Sequence, residues 1–250
     1  MLRRRFAIAS AALLSLVTLI AAPQSTAPQS LSDVVQATKS LERGDGLFGS
    51  AEVRSNSLRG LPQWNRVLGV MKGPGQAFHA CAAARAGCAT PVLVKWRGLI
   101  VAASKLSRRE QVKTVNDFFN RWPYKQDREL YGVLEYWATP LEFMKRSGDC
   151  EDYAIAKYFA LRELGFSIDD LRVVALRDRI RNVGHAVLAV QVDGDFLILD
   201  SLSNLILSHT RYTHYVPQVS MNETARWAHV GSAGKHKADV FQRIPTRKRK

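Results

Sequence analysis

His185-Ala186-Val187-Leu188-Ala189-Val190-Gln191-Val192, then Asp193-Gly194, then Asp195-Phe196-Leu197-Ile198-Leu199-Asp200, is the stretch on which the fold turns. An Asp-Gly pair between two alternating apolar runs is a strong signal for an antiparallel hairpin closed by a two-residue turn. With those two residues as the loop, Val192 faces Asp195, Val190 faces Leu197, Leu188 faces Leu199 and Val187 faces Asp200. Opposed residues share a face, so Leu188, Val190, Leu197 and Leu199 make an apolar surface for a core. His185, Val187 and Asp200 then lie on the other side. His185 is diagonal to Asp200, at the ~7–8 Å spacing that side chains of this size bridge.

Outward from the hairpin, Leu171 to Leu176 reads as another strand, and Gly148-Asp149-Cys150-Glu151-Asp152-Tyr153 opens a helix running to Leu164. Acids in its first turn and Gly165 just past its end are helix start and stop signals. Farther upstream, Trp64 to Trp122 shows helical periodicity, with Ser107 and Glu110 spaced as a capping box. Trp122-Pro123-Tyr124 stops that helix. Tyr136-Trp137-Ala138-Thr139-Pro140 forms a second aromatic loop before a short helix from Leu141 to Arg146. The expected class is α+β: an N-terminal helical part and an antiparallel β-sheet that carries the histidine and the aspartate.

A carboxylate holding one ring nitrogen sets the tautomer of an imidazole and stabilises its protonated form, the orienting role in a nucleophile, base and orienter triad. Cys150 is the natural nucleophile, because the first turn of a helix offers free N–H groups that favour a thiolate and cradle an oxyanion. Its own N–H is one expected oxyanion donor. Taken singly, Cys150 reads better as a small buried residue, His185 as a core histidine and Asp200 as a turn residue. Together they form a coherent Cys, His, Asp constellation. Asp149, Glu151 and Asp152 crowd negative charge around the thiol, which opposes its ionisation. Their oxygens either bind a hard cation such as calcium or merely complement the helix N-terminus.

The chain has 250 residues, 46% hydrophobic and 23% charged, an ordinary globular composition. Met1-Leu2-Arg3-Arg4-Arg5 followed by an apolar run from Phe6 to Ala22, with Ser25 and Ala27 as small residues at a cut site, reads as a secretory leader. Residues 1–27 are assigned to the signal peptide and cleavage region, with an uncleaved anchor as the alternative. Residues 28–45 read as a linker, 46–240 as one catalytic domain and 241–250 as a basic tail. No later segment is apolar enough to span a bilayer.

The net charge is +14, and removal of Arg3, Arg4 and Arg5 with the leader leaves +11. Such an excess suits nucleic acid or an anionic surface, but an exported chain does not meet nucleic acid. Cys81 and Cys88 either pair across a short loop or stay reduced, and pairing leaves Cys150 as the odd thiol. His209, His214, His229 and His236 show no metal spacing and read as surface residues. Trp122 and Trp137 rim a groove or pack in the core.

The quoted Tyr136–Pro140 loop, the Gly148–Tyr158 block, His185-Ala186-Val187-Leu188 and Leu197-Ile198-Leu199-Asp200 resemble the bacterial transglutaminase-like cysteine proteinases of the LapG type. Glu135 and Ser201 depart from residues usual there. The resemblance implies a papain-like, transglutaminase-like core in the periplasm, with Cys150, His185 and Asp200 as triad and Asp149, Glu151 and Asp152 as calcium ligands. It implies cleavage of the N-terminal region of a large surface adhesin, controlling biofilm attachment. It also implies restraint by the periplasmic domain of an inner-membrane receptor for cyclic di-GMP. Two other classes fit the same residues: a transglutaminase-type acyl transferase and a catalytically silent peptide-binding domain.

Overall fold

In the computed structural model, which describes residues 46–73, 76–83 and 88–231, a short 3-10 turn at Leu47–Gly49 leads into strand β1 (Ala51–Ser55). The leader, the linker, the basic tail, the end of the domain at 240 and His236 lie outside the described residues. Helices α1 (Pro62–Lys72), α2 (Gln76–Ala83) and α3 (Pro91–Ala103) follow. Helix α3 starts where Thr90 accepts from the Leu93 N–H with proline next in line. Helix α4 (Arg108–Phe119) carries the expected capping box, Ser107 taking the Glu110 N–H and Glu110 taking the Ser107 N–H. A short α5 (Asp127–Tyr131) precedes α6 (Pro140–Arg146), itself boxed by Thr139 and Glu142. Helix α7 (Cys150–Glu163) is the expected long one, released at Gly165 in the left-handed region, φ 83°. The remaining strands are β2 (Leu171–Asp178), β3 (Val183–Val192), β4 (Asp195–Leu199), β5 (Leu207–Ser208), β6 (Tyr215–Met221) and β7 (Arg226–Val230). No described helix is long and apolar enough to cross a membrane.

The strands form one antiparallel sheet in the order β1-β7-β6-β2-β3-β4-β5. The β3–β4 hairpin has the register read from Asp193-Gly194: Val192 opposite Asp195, Val190 opposite Leu197, Leu188 opposite Leu199. Both turn residues have positive φ, 54° and 81°, as the favoured hairpin turn requires. Helix α7 packs on β3 and β2. Leu188, Val190, Leu197 and Leu199 join its Ile155 and Phe159 in the main core, with Trp64 and Trp96 from the helical half. The opposite face is covered too, since Val187, Ala189 and Ile198 cluster with Leu47 and Tyr215. Trp137 is buried, and Trp122 packs against Phe118, Phe119 and Phe143, so both serve as core aromatics.

Cys81 and Cys88 are joined as a disulfide, leaving Cys150 as the free thiol. His229 is not a surface residue: its side chain is buried, with Nδ1 at 2.7 Å from Ser50 Oγ and Nε2 at 2.8 Å from Ser220 Oγ. Those hydroxyls satisfy both ring nitrogens where β1, β7 and β6 meet, which makes burial affordable. His209 is also largely covered, its Nδ1 accepting the Phe48 N–H at 2.9 Å.

Candidate active site

Residue by residue, the sheet supplies a carboxylate and imidazole pair. His185 sits near the start of β3 and Asp200 directly follows β4, and His185 Nε2 lies 2.9 Å from Asp200 Oδ1, both side chains buried. The Leu202 N–H donates to the same oxygen at 3.0 Å, and the Tyr215 hydroxyl donates to Oδ2 at 2.6 Å. Burial pushes the Asp200 carboxyl up, but the hydrogen bond and charge of His185, then Tyr215 and the Leu202 N–H, hold it below the ordinary aspartate value. With Nε2 committed to Asp200, Nδ1 is the nitrogen left to serve a nucleophile. Tyr215 is a member of the site that sequence reasoning missed. Fifteen residues separate it from Asp200, and only the pairing of β6 with β2 brings it across.

Cys150 is the first residue of α7, and the Ala186 N–H, from the residue after His185, faces its sulfur. The thiol itself donates to Glu151 Oε2 at 3.2 Å, and the Tyr124 hydroxyl is its other neighbour. Burial pushes the thiol well above its usual value, and the charges of Glu151 and Asp149 push the same way; the Ala186 N–H opposes them. Helix α7 thus brings the sulfur to the strand that carries His185, while burial, and after it the neighbouring acids, hold it as a thiol.

The acids divide into two overlapping groups rather than the single set read from Asp149, Glu151 and Asp152. Asp149, Cys150 and Glu151 form one; Asp127, Asp149 and Asp152 form the other, each with donor atoms within 4.8 Å of one another. Asp127 was not singled out from the sequence, and nothing local marks it. It arrives because Tyr124 bridges in parallel to Gly148 and the Lys125 N–H donates to the Gly148 carbonyl at 2.9 Å.

Burial raises Asp127 to about 6, with Asp149 and Glu135 adding to it and the Tyr136 N–H, which donates to Oδ2, opposing. Burial likewise takes Asp152 to about 8 and Glu151 to about 9, beside the charge of Asp149. Asp152 also organises backbone: Oδ1 accepts the Ala138 N–H at 2.6 Å and Oδ2 the Asp149 N–H at 3.3 Å. A β-carbon on Gly148 would fall 2.0 Å from Asp152 Oδ2, so only glycine fits there.

The Oδ1 atoms of Asp127 and Asp149 are buried without a hydrogen-bond partner. Orphaned oxygens on acids whose carboxylates lie within reach of one another, with protonation forced upward, suit a hard divalent cation. They line a cleft of about 420 Å³ with Tyr124, Gln126, Arg128 and Leu134, next to the thiol.

A family model described as bacterial transglutaminase-like cysteine proteinase matches residues 68–235. Among solved structures, LapG of Legionella pneumophila superposes with a TM-score of 0.50 at 34% identity, covering 55% of this chain and 77% of that one. Its calcium-bound form matches with the same score and coverage at 35% identity. An EGTA-treated form matches at 34%, covering 55% and 75% with a TM-score of 0.50. A search of the curated proteins finds no match. The family match spans well over half of the sequence and includes every residue of the site: the chain belongs to the bacterial transglutaminase-like cysteine proteinases.

Proposed function

We propose that this chain is a calcium-dependent cysteine endopeptidase of the periplasm, with residues 46–240 as its catalytic domain. The observation that carries the reading is the buried His185 and Asp200 pair on the strand next to a free thiol at a helix start. In this mechanism the Cys150 sulfur attacks a peptide carbonyl after His185 takes the thiol proton. His185 then gives a proton to the departing amine, and water releases the acyl group from the sulfur. Asp200 orients the imidazole and stabilises its charged form. The Cys150 N–H donates to the developing oxyanion.

Asp149, Glu151 and Asp152, joined by Asp127, are the acids we assign to the cation. Asp127 and Asp149 bring free oxygens, and Glu151 is the member nearest the sulfur. A bound calcium supplies positive charge that offsets the acids now holding the thiol neutral. The calcium-bound form of the Legionella relative supports this assignment. Export is supported by the leader pattern of residues 1–27.

The substrate we assign is the N-terminal region of a large surface adhesin, whose cleavage releases attached cells. The periplasmic domain of an inner-membrane cyclic di-GMP receptor is the proposed restraint. The test is incubation with the surface adhesins of the source organism, comparing wild type with Cys150→Ala in calcium and in excess chelator. Hydrolysis products from wild type in calcium alone are expected. Cleavage by Cys150→Ala, or product masses showing amine transfer instead of hydrolysis, would overturn it.

A further inference from the structure

Lys157 lies seven residues after Cys150 on α7, two helical turns along the same face. It is wholly buried, yet makes no ion pair within 4.0 Å among the described residues. Its Nζ donates to the main-chain carbonyl of Asp200 at 3.1 Å. The Asn120 Nδ2, at the end of α4, donates to the same carbonyl at 2.9 Å and to the Ser203 carbonyl at 3.1 Å. Both lone pairs of the Asp200 carbonyl are therefore taken, one from each helix.

This grip matters because β4 ends at Leu199. Asp200 stands outside the sheet ladder, where no strand partner fixes its peptide plane. A freely turning peptide would swing the carboxylate off His185. An amine placed in a core is costly, and an aliphatic side chain of similar length would fill the space without that cost. Burial draws Lys157 down to about 7 against the pull of Asp200 and Asp117, and in either protonation state it still has a hydrogen for the carbonyl.

We propose that Lys157, assisted by Asn120, is a positioning residue that locks the Asp200 peptide and so aims its carboxylate at His185. The inference rests on the protease reading above. Because Lys157 and Cys150 share one helix, the same element sets the heights of the sulfur and of the acid that serves it.

The test is Lys157→Met, with Asn120→Ala as a second variant, in the full chain with calcium. The readouts are kcat and KM on a cleaved peptide, Tm, and the pH dependence of iodoacetamide alkylation of Cys150. The expected result for Lys157→Met is a fall in kcat of about tenfold with KM within about twofold, a Tm no lower than wild type, and slower alkylation near pH 6. Asn120→Ala should lower kcat in the same direction by a smaller factor. Wild-type kcat and alkylation in Lys157→Met would overturn the proposal. If that variant does not fold, unchanged kcat and alkylation in Asn120→Ala would overturn it instead. Cleavage by Cys150→Ala would strike down the protease reading itself, whereas a Cys150-dependent enzyme indifferent to both variants removes only the positioning role.

Discussion

The Tyr215 hydroxyl donates to Asp200 Oδ2 at 2.6 Å, on the opposite oxygen from the one that meets His185. The carboxylate is thereby held at both ends, and its rotation about the Cβ–Cγ bond is blocked by two partners from different strands. Tyr215→Phe removes one of them without changing the shape of the core. We expect a loss of about 1–2 kcal/mol in stability and a several-fold lower kcat/KM carried by kcat. Asp200 titrates below its ordinary 3.8 in the fold, so its contribution is present above that pH and lost as pH falls through its folded value. The stability gap between wild type and Tyr215→Phe, followed by thermal melts, should therefore narrow below pH 3.8. A gap that stays constant would mean the hydroxyl does not act through the carboxylate.

Calcium should bind more tightly as pH rises. Asp127, Asp152 and Glu151 sit near 6, 8 and 9 without the cation, so at pH 5 protons occupy the oxygens that the metal needs. The rise in Tm on adding calcium is expected to grow from pH 5 to pH 8, and calorimetry should detect proton release on binding. Asp127→Asn should weaken binding by tenfold or more while leaving the metal-free fold in place. Undiminished calcium affinity in that variant would return the site to the three acids of the helix start.

His229 predicts a distinct acid sensitivity. Burial, with Arg172 adding and Glu52 opposing, lowers it from 6.5 to about 4 in the fold. Its contribution is present above pH 6.5 and is lost as pH falls toward 4, because the unfolded chain takes up the proton first. His229→Gln should cost about 1–3 kcal/mol at pH 7 through the weakened hydrogen bonds to Ser50 and Ser220, and its stability should fall less steeply between pH 6.5 and 4. Chemical denaturation across that range measures both.

The Cys81–Cys88 disulfide predicts a thiol count. Without reductant, a small alkylating reagent should label one cysteine, Cys150, and after unfolding in reductant it should label three. Replacing both paired cysteines by alanine should lower stability by about 2 kcal/mol, the loop being short, while leaving the Cys150 chemistry intact. Peptide mapping of the labelled sites decides it.

Parts of this fold are written locally and parts are not. Asp193-Gly194 supports one hairpin register, and the acids of the first turn with Gly165 bound α7 at both ends, so these elements and the His185 and Asp200 pairing could be read from the chain. Strand β1, Ala-Glu-Val-Arg-Ser, is too short and polar to declare itself, and it is a strand because β7 pairs with it. Strand β6 carries Pro217 among alternating polar residues. Asp127 and Tyr215 reach the site only through long-range contacts, a backbone bridge for one and sheet order for the other. Glu151 differs, being the sequence neighbour of Cys150: its position predicts charge near the thiol, but not that it would accept the thiol hydrogen.

The pairing of β1 with β7, Ala51 opposite Val230, means that the first and last strands of the described chain are immediate neighbours. A short linker from Gly231 back to Gly46, whose N–H donates to the Ser50 carbonyl at 2.9 Å beside that pairing, would join them and keep Leu47, Phe48 and Ser50 with their contacts. New ends could then be opened at an exposed turn remote from the thiol, giving a circularly permuted enzyme. By the same geometry the domain is suited to insertion as a cassette into a surface loop of another protein, since host strands would have to part by only about 5 Å to receive it.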